Sequence, residues 1–109
     1  MSDAPTDVRN DTTTGRFVVA EDGLEAELRY RKRAGRLILI HTDVPDALGG
    51  RGIGGRLVRA AIAHAGAEHL TIVPWCPFAR QWLTDHPNEA QAVLIDWDTM
   101  PPPESNLDS

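Results

Sequence analysis

Gly49, Gly50, Gly52, Gly54 and Gly55 crowd into the run Leu48-Gly49-Gly50-Arg51-Gly52-Ile53-Gly54-Gly55-Arg56-Leu57. Glycine has no Cβ, so its backbone can approach a ligand closely. From Ile53 onward, Leu57, Val58, Ala61, Ile62 and Ala65 recur at helical spacing and define one apolar face. A helix start presents N–H groups with no intrahelical partner, together with the positive end of the macrodipole. Loop and helix together make an anion site suited to phosphate or pyrophosphate. Two further residues offer chemistry. Cys76, the single cysteine, precedes Pro77, and proline suits the first turn of a helix. Cys76 therefore falls at a helix N-cap, where the helix field favours thiolate. His41 closes the apolar run Leu37-Ile38-Leu39-Ile40, and a neutral imidazole can take a proton near physiological pH. The plainer readings are a buried, inert thiol and an imidazole satisfied by backbone.

These residues need elements to place them. The 109 residues make one domain with a single modest core. Met1 to Gly15 is polar and offers little to bury, so residues 1–15 are expected to be disordered. A strand is expected from Arg16 to Ala20, followed by the turn Glu21-Asp22-Gly23. Leu24, Ala26, Leu28 and Tyr30 alternate with Glu25, Glu27, Arg29 and Arg31, the period of a half-buried strand. Leu37 to Ile40 is apolar on both faces and belongs in the middle of a sheet. The helix after the glycine loop is expected to end at Gly66. A short strand at Leu70 to Val73, a second helix from Pro77 to about Asp85 and a last strand at Val93 to Trp97 follow. Residues 99–109 read as a Pro-rich disordered tail, leaving 16–98 as the domain. The class is α+β, with a mixed, mainly antiparallel sheet and two helices.

Charge and composition exclude several roles. A net charge of −5 argues against nucleic acid as the main partner. No apolar run is long enough to span a bilayer. One cysteine permits no internal disulfide, and with no signal-peptide pattern the expected location is cytoplasmic. His64 and His69 share no metal-ligand spacing with Cys76, so no metal site is expected. Arg29-Tyr30-Arg31-Lys32-Arg33 with Arg36 forms a basic hairpin, which is either a solvated turn or a cationic lure. Trp75, Trp82 and Trp97 read as core and rim packing.

The glycine loop must still be given a ligand. A mononucleotide P-loop needs Lys and then Ser or Thr after its last glycine, but Gly55 is followed by Arg56 and Leu57. A dinucleotide fingerprint is met literally by Gly50, Gly52 and Gly55. It also needs an acid at the end of the next strand, and Val73-Pro74-Trp75 has none. Gly52-Ile53-Gly54, between strand and helix, resembles the second half of the R/Q-x-x-G-x-G/A pyrophosphate motif of the GNAT N-acetyltransferase superfamily, with Gly49 standing where Arg or Gln is usual. A longer set of residues carries the resemblance further. Ile40-His41-Thr42-Asp43-Val44-Pro45, the glycine loop, Val73-Pro74-Trp75-Cys76-Pro77-Phe78 and His86-Pro87 are together similar to the small GNAT-like family of the bacterial YjdJ type, from about Phe17 to Trp97.

That resemblance implies a GNAT-like acyl-CoA N-acyltransferase fold that binds acetyl-CoA or coenzyme A between two splayed parallel strands, Leu37 to Thr42 and Leu70 to Val73. Backbone at Thr42, Asp43 and Val44 would pair with pantetheine amides. The loop Gly49, Gly50, Arg51, Gly52, Ile53, Gly54, Gly55 and Arg56 would cradle the pyrophosphate, with Arg51, Arg56 or Arg59 toward the outer phosphates. Trp75 and Phe78 would flank the acyl site, and the basic hairpin would draw either an acidic acceptor or the coenzyme A phosphates. Only Glu21-Asp22-Gly23 separates the first two expected strands, so the usual N-terminal helices are lacking. A large acceptor, or a second subunit of a homodimer rather than a monomer, would then complete the groove. The family's tyrosine acid has no counterpart, because Tyr30 is the only tyrosine. Cys76 and His41 become the catalytic candidates: Cys76 as acyl acceptor or acid, His41 as base. The implied activity is transfer of acetyl from this small-molecule donor to an unknown amine or protein acceptor. The alternative is a non-catalytic coenzyme A binding module acting as sensor or accessory protein.

Overall fold

The alternating residues of Leu24 to Tyr30 lie at the centre of an antiparallel meander. The computed structural model describes residues 8–101. Its strands are β1 (Val8–Asp11), β2 (Arg16–Glu21), β3 (Leu24–Arg33), β4 (Arg36–Asp43) and β5 (Thr71–Pro74). They form one sheet in the order β1-β2-β3-β4-β5. The first three pairings are antiparallel and β4 with β5 is parallel. Helix α1 (Ile53–Glu68) makes the crossover between β4 and β5. Helices α2 (Pro77–Asp85) and α3 (Pro87–Ala90) follow β5. A single 3-10 turn at Asp46–Leu48 leads into the glycine loop.

One core holds this together. Ala26, Leu28, Leu37, Leu39 and Ile72 of the sheet meet Leu57, Val58 and Ala61 of α1 and Leu83 of α2, all essentially buried. Cross-strand partners share a sheet face, so these residues define an inner face covered by the helices. The opposite, outer face carries Arg9, Arg16, Glu27, Arg29 and Arg31 from β1, β2 and β3.

The fold class is as expected, with the one-turn α3 as an addition. Several boundaries are corrected. Part of the segment expected to be disordered is strand β1, paired from Val8↔Val19 to Asp11↔Arg16. Its backbone supplies what its side chains lack, and Asn10 Oδ1 accepts the Tyr30 hydroxyl at 2.6 Å. Residues 1–7 of that expectation lie outside the described residues. Helix α1 runs past Gly66 to Glu68, because His69 adopts the left-handed conformation (φ 57°) and its N–H closes on the Ala65 carbonyl.

The expected last strand, Val93 to Trp97, shrinks to one parallel bridge, Ile72↔Ile95. Ile72 N–H donates to Leu94 O at 2.9 Å, and Asp96 N–H donates to Ile72 O at 2.8 Å. The first residues of the expected tail are tied to this strap and to the end of β5: the Thr99 hydroxyl donates to Asp96 Oδ2 at 2.6 Å, and Trp75 Nε1 donates to Thr99 O at 3.0 Å. Residues 102–109 lie outside the described residues.

Asp96 is the latch of the strap. Thr99, through its hydroxyl and amide, then Arg36 and the Asp98 amide hold its carboxylate well below the usual aspartate range. A depressed folded value means that the stabilisation is complete above the ordinary value of 3.8 and drains away as pH falls below it. Asp96→Asn should therefore lower the urea midpoint at pH 6 and leave a smaller gap from wild type at pH 2. A gap of the same size at both pH values would refute the latch.

Candidate functional site

Strands β4 and β5 part company at one carbonyl. Their pairing ends at Leu39↔Pro74, since Pro74 has no N–H to continue a ladder. Trp75 N–H (3.0 Å) and Cys76 N–H (2.9 Å) both donate to Leu39 O, and the chain turns into α2. Strand β4 continues to Asp43, paired only with β3. Ile40 to Asp43 therefore has one open edge, beginning where the strands diverge.

A bulge sets what faces this opening. Tyr30 pairs with Leu39 and Arg29 with His41, so Ile40 is skipped. An extra residue reverses the alternation that follows. Thr42 thus lies opposite Leu28 on the inner face, and His41 lies opposite Arg29 on the outer face. The bulge brings Thr42 Oγ1 to 3.1 Å from Cys76 Sγ, with either atom able to donate. Cys76 is the N-cap of α2, as expected, yet it is only 2% exposed. The structure joins Thr42 with Cys76 and places His41, exposed, on the other side of the sheet.

The open edge leads to a groove of about 520 Å³ lined by Val44, Gly49, Gly50, Gly52, Ile53, Gly54 and Gly55, with Leu48, Arg59, Phe78 and Trp82. A smaller cavity of about 220 Å³ lies at the other end of α1, against 92–94, away from this chemistry. Helix α1 begins at Gly52 with no capping side chain and no acid in its first turn. Its first N–H groups therefore lack the usual internal partners and face an anion's natural position.

The glycines divide by purpose. Gly50 (φ +80°) and Gly52 (φ +73°) are left-handed, and a Cβ on either would meet open space. Gly54 and Gly55 serve packing, since a Cβ there would stand 2.5 Å from Phe78 Cζ and 2.8 Å from Trp82 Nε1. Phe78, 43% exposed, rests on the start of α1. Trp82 is stacked on His86 with centroids 3.8 Å apart and also carries the Arg59 guanidinium at 5.1 Å. Reading Trp82 as packing alone missed that it also walls the groove.

The arginines named for phosphates are each held by carboxylates. Arg51 pairs with Glu21 (3.1 Å) and Asp22 (2.9 Å), Arg56 with Glu21 (2.9 Å), and Arg59 with Glu89 (2.6 Å). Arg56, then Arg51, keep the Glu21 carboxyl below its ordinary value. The β2–β3 turn thus pins the glycine loop. Thr42, Asp43, Arg51 and Arg56 do not line the groove. The basic hairpin is corrected as a partner for coenzyme A phosphates: Arg33 ends β3 at the opposite end from the loop, roughly 30 Å along a ten-residue strand. Tyr30 is committed to the core through Asn10.

A two-layer acyltransferase-like fold, one sheet with its helices packed on a single face, splayed parallel strands and a glycine loop opening a helix, defines the class. Residues 16–93 match the family of GCN5-related N-acetyl-transferases, and the chain belongs to that family. It is similar to Protein NATD1 of Gallus gallus, 33% identical over 86 residues that cover 76% of this chain and 78% of that one. The NMR solution structure of "a GCN5-like putative N-acetyltransferase" from Staphylococcus aureus superposes with a TM-score of 0.64 at 28% identity, covering 90% of this chain and 95% of that one. Among the described residues no helix is long and apolar enough to cross a membrane.

Proposed function

We propose that the chain binds acetyl-CoA and transfers its acetyl group to an amine. The observation that carries this reading is the open β4 edge at Ile40 to Asp43, followed directly in the chain by Val44, which lines the glycine groove at the start of α1. The residues present fit the donor: Gly50 and Gly52 leave room for close approach, and the first turn of α1 is uncapped. Backbone at Thr42, Asp43 and Val44 would hold the pantetheine amides. The N–H groups of Gly50 to Gly55 would hold the pyrophosphate. When bound, acetyl-CoA supplies an activated thioester. His41, exposed on the outer face, accepts the proton that the attacking amine must lose. Cys76, bonded to Thr42 at the divergence of the strands, supplies the proton for the leaving thiolate or itself takes the acyl group.

Cys76→Ala should slow transfer by roughly 100-fold if its thiol is the acid and should abolish any covalent acetyl adduct seen by mass spectrometry. Unchanged transfer would remove Cys76 from the chemistry.

One observation favours a second reading, a binding module without transfer. Cys76 is 2% exposed and Tyr30 is spent on Asn10, so neither the thiol nor the tyrosine is an exposed acid at the divergence. Native mass spectrometry with acetyl-CoA separates the readings. A non-covalent complex without turnover on any amine supports the module; turnover supports the transferase; no complex refutes both.

A further inference from the structure

The outer face of the sheet carries an ordered set of charges that the donor groove does not use. Glu27 and Asp43 are cross-strand partners there, as are Arg29 and His41. Arg31 and Arg33 continue the β3 row away from them. Arg29 only shares Glu27, at 3.8 Å, because Glu27 already holds Arg16 at 2.6 Å. Among the described residues, Arg31, Arg33 and Asp43 have no ion-pair partner. Helices α1, α2 and α3 all bury residues in the inner cluster, so no described helix covers this face.

We propose, building on the acetyl-transfer reading above, that this face receives the acceptor, and that the acceptor is an acidic polypeptide segment. Its amine lies at His41, and its carboxylates lie on Arg31 and Arg33. Three features support this. The amine is a cation before it reacts, and Asp43, exposed and without an ion-pair partner among the described residues, lies on the same face two residues from His41 to receive it. Arg29, Arg31 and Arg33 are alternate residues of one strand, so they repeat every ~6.7 Å. An extended peptide repeats its same-side residues at that same interval, so acids at every second position meet successive arginines. A small polyamine would be repelled by this row. A nucleic acid offers no aliphatic amine and is opposed by the net charge of −5.

The test is fluorescence anisotropy with the full chain. The probe is a decapeptide with a free N-terminal amine, glutamate at alternate positions and a C-terminal fluorescein. It should bind about tenfold tighter than its glutamine counterpart at low salt, since each exposed pair contributes a few-fold. High salt should erase the difference. Arg31→Glu with Arg33→Glu should erase it too. Both residues are exposed and unpaired, so the double variant should fold and titrate acetyl-CoA like wild type. Equal binding of the glutamine peptide, full binding by the double variant, or tighter binding of an oligothymidylate would each overturn the inference. Calorimetric titration with acetyl-CoA keeps the two ideas apart. Acetyl-CoA binding without peptide selectivity sinks the acceptor class alone. Peptide selectivity without acetyl-CoA binding sinks the acetyl-transfer reading and supports the acidic-peptide surface.

Discussion

Leu39→Ala should cost the protein about 3–4 kcal/mol of stability, judged from leucine truncations at sites this well buried. Leu39 is fully buried at the centre of the one core, on the strand that pairs with both β3 and β5. Removing its branched end forfeits transfer energy and leaves a cavity. The surroundings are two paired strands and cannot easily collapse into it. Domains of this size are stable by only ~5–15 kcal/mol in all, so the loss is a large share. Thermal unfolding should drop by roughly 10–20 °C. Leu24→Ala, at a hairpin end and 37% exposed, is the control and should cost under about 1 kcal/mol. The Leu39 carbonyl, which gathers the Trp75 and Cys76 N–H groups, is untouched by the substitution. Loss of acetyl-CoA binding beyond the loss of folded protein would therefore report movement at the strand divergence. A cost below 1 kcal/mol would mean that the sheet and helices do not share this core.

Elements whose stability comes from side chains are legible in the sequence. The alternation in Leu24 to Tyr30 gave β3 its two faces, the apolar stripe from Ile53 to Ala65 gave α1, and Cys76-Pro77 marked the start of α2. What escaped is held by backbone or by distant partners. β1 buries little, and its strand exists because β2 offers an unpaired edge. The bulge at Ile40 leaves no trace in Leu-Ile-Leu-Ile, where both faces are apolar and a one-residue shift changes no pattern. Yet that shift decides that Thr42, and not His41, meets Cys76. Arg51 and Arg56 looked available for phosphate because Glu21, 30 and 35 positions away, is not visible as their partner in a linear reading. Gly54 and Gly55 read in the sequence as part of a ligand loop, but they lie in the first turn of α1, where rings from α2 need them as much.

Gly52→Val should remove most acetyl-CoA affinity, by about 100-fold or more, while leaving the fold intact. Gly52 is the N-cap of α1, at φ 73° and ψ 18°. A Cβ there meets no protein atom, so the cost is conformational and not steric crowding. Holding a β-branched residue in the left-handed region costs roughly 1–3 kcal/mol. The chain can bear that strain or swing the loop to a negative φ. Bearing it puts an isopropyl group into the space a phosphate must enter. Relaxing it turns the N–H groups of the loop away from a common focus. Either path weakens the cradle, and a loss of ~2.7 kcal/mol is already 100-fold in affinity. The response should be graded: Gly52→Asn, which tolerates the left-handed region, should retain more affinity than Gly52→Ala, and Gly52→Val should retain least. Gly66→Ala, inside α1 with its new Cβ 3.8 Å from Val93, should instead stabilise by up to about 1 kcal/mol with affinity unchanged. Wild-type acetyl-CoA binding in a folded Gly52→Val protein, measured by calorimetry, would mean that the donor's phosphates are held somewhere other than the start of α1.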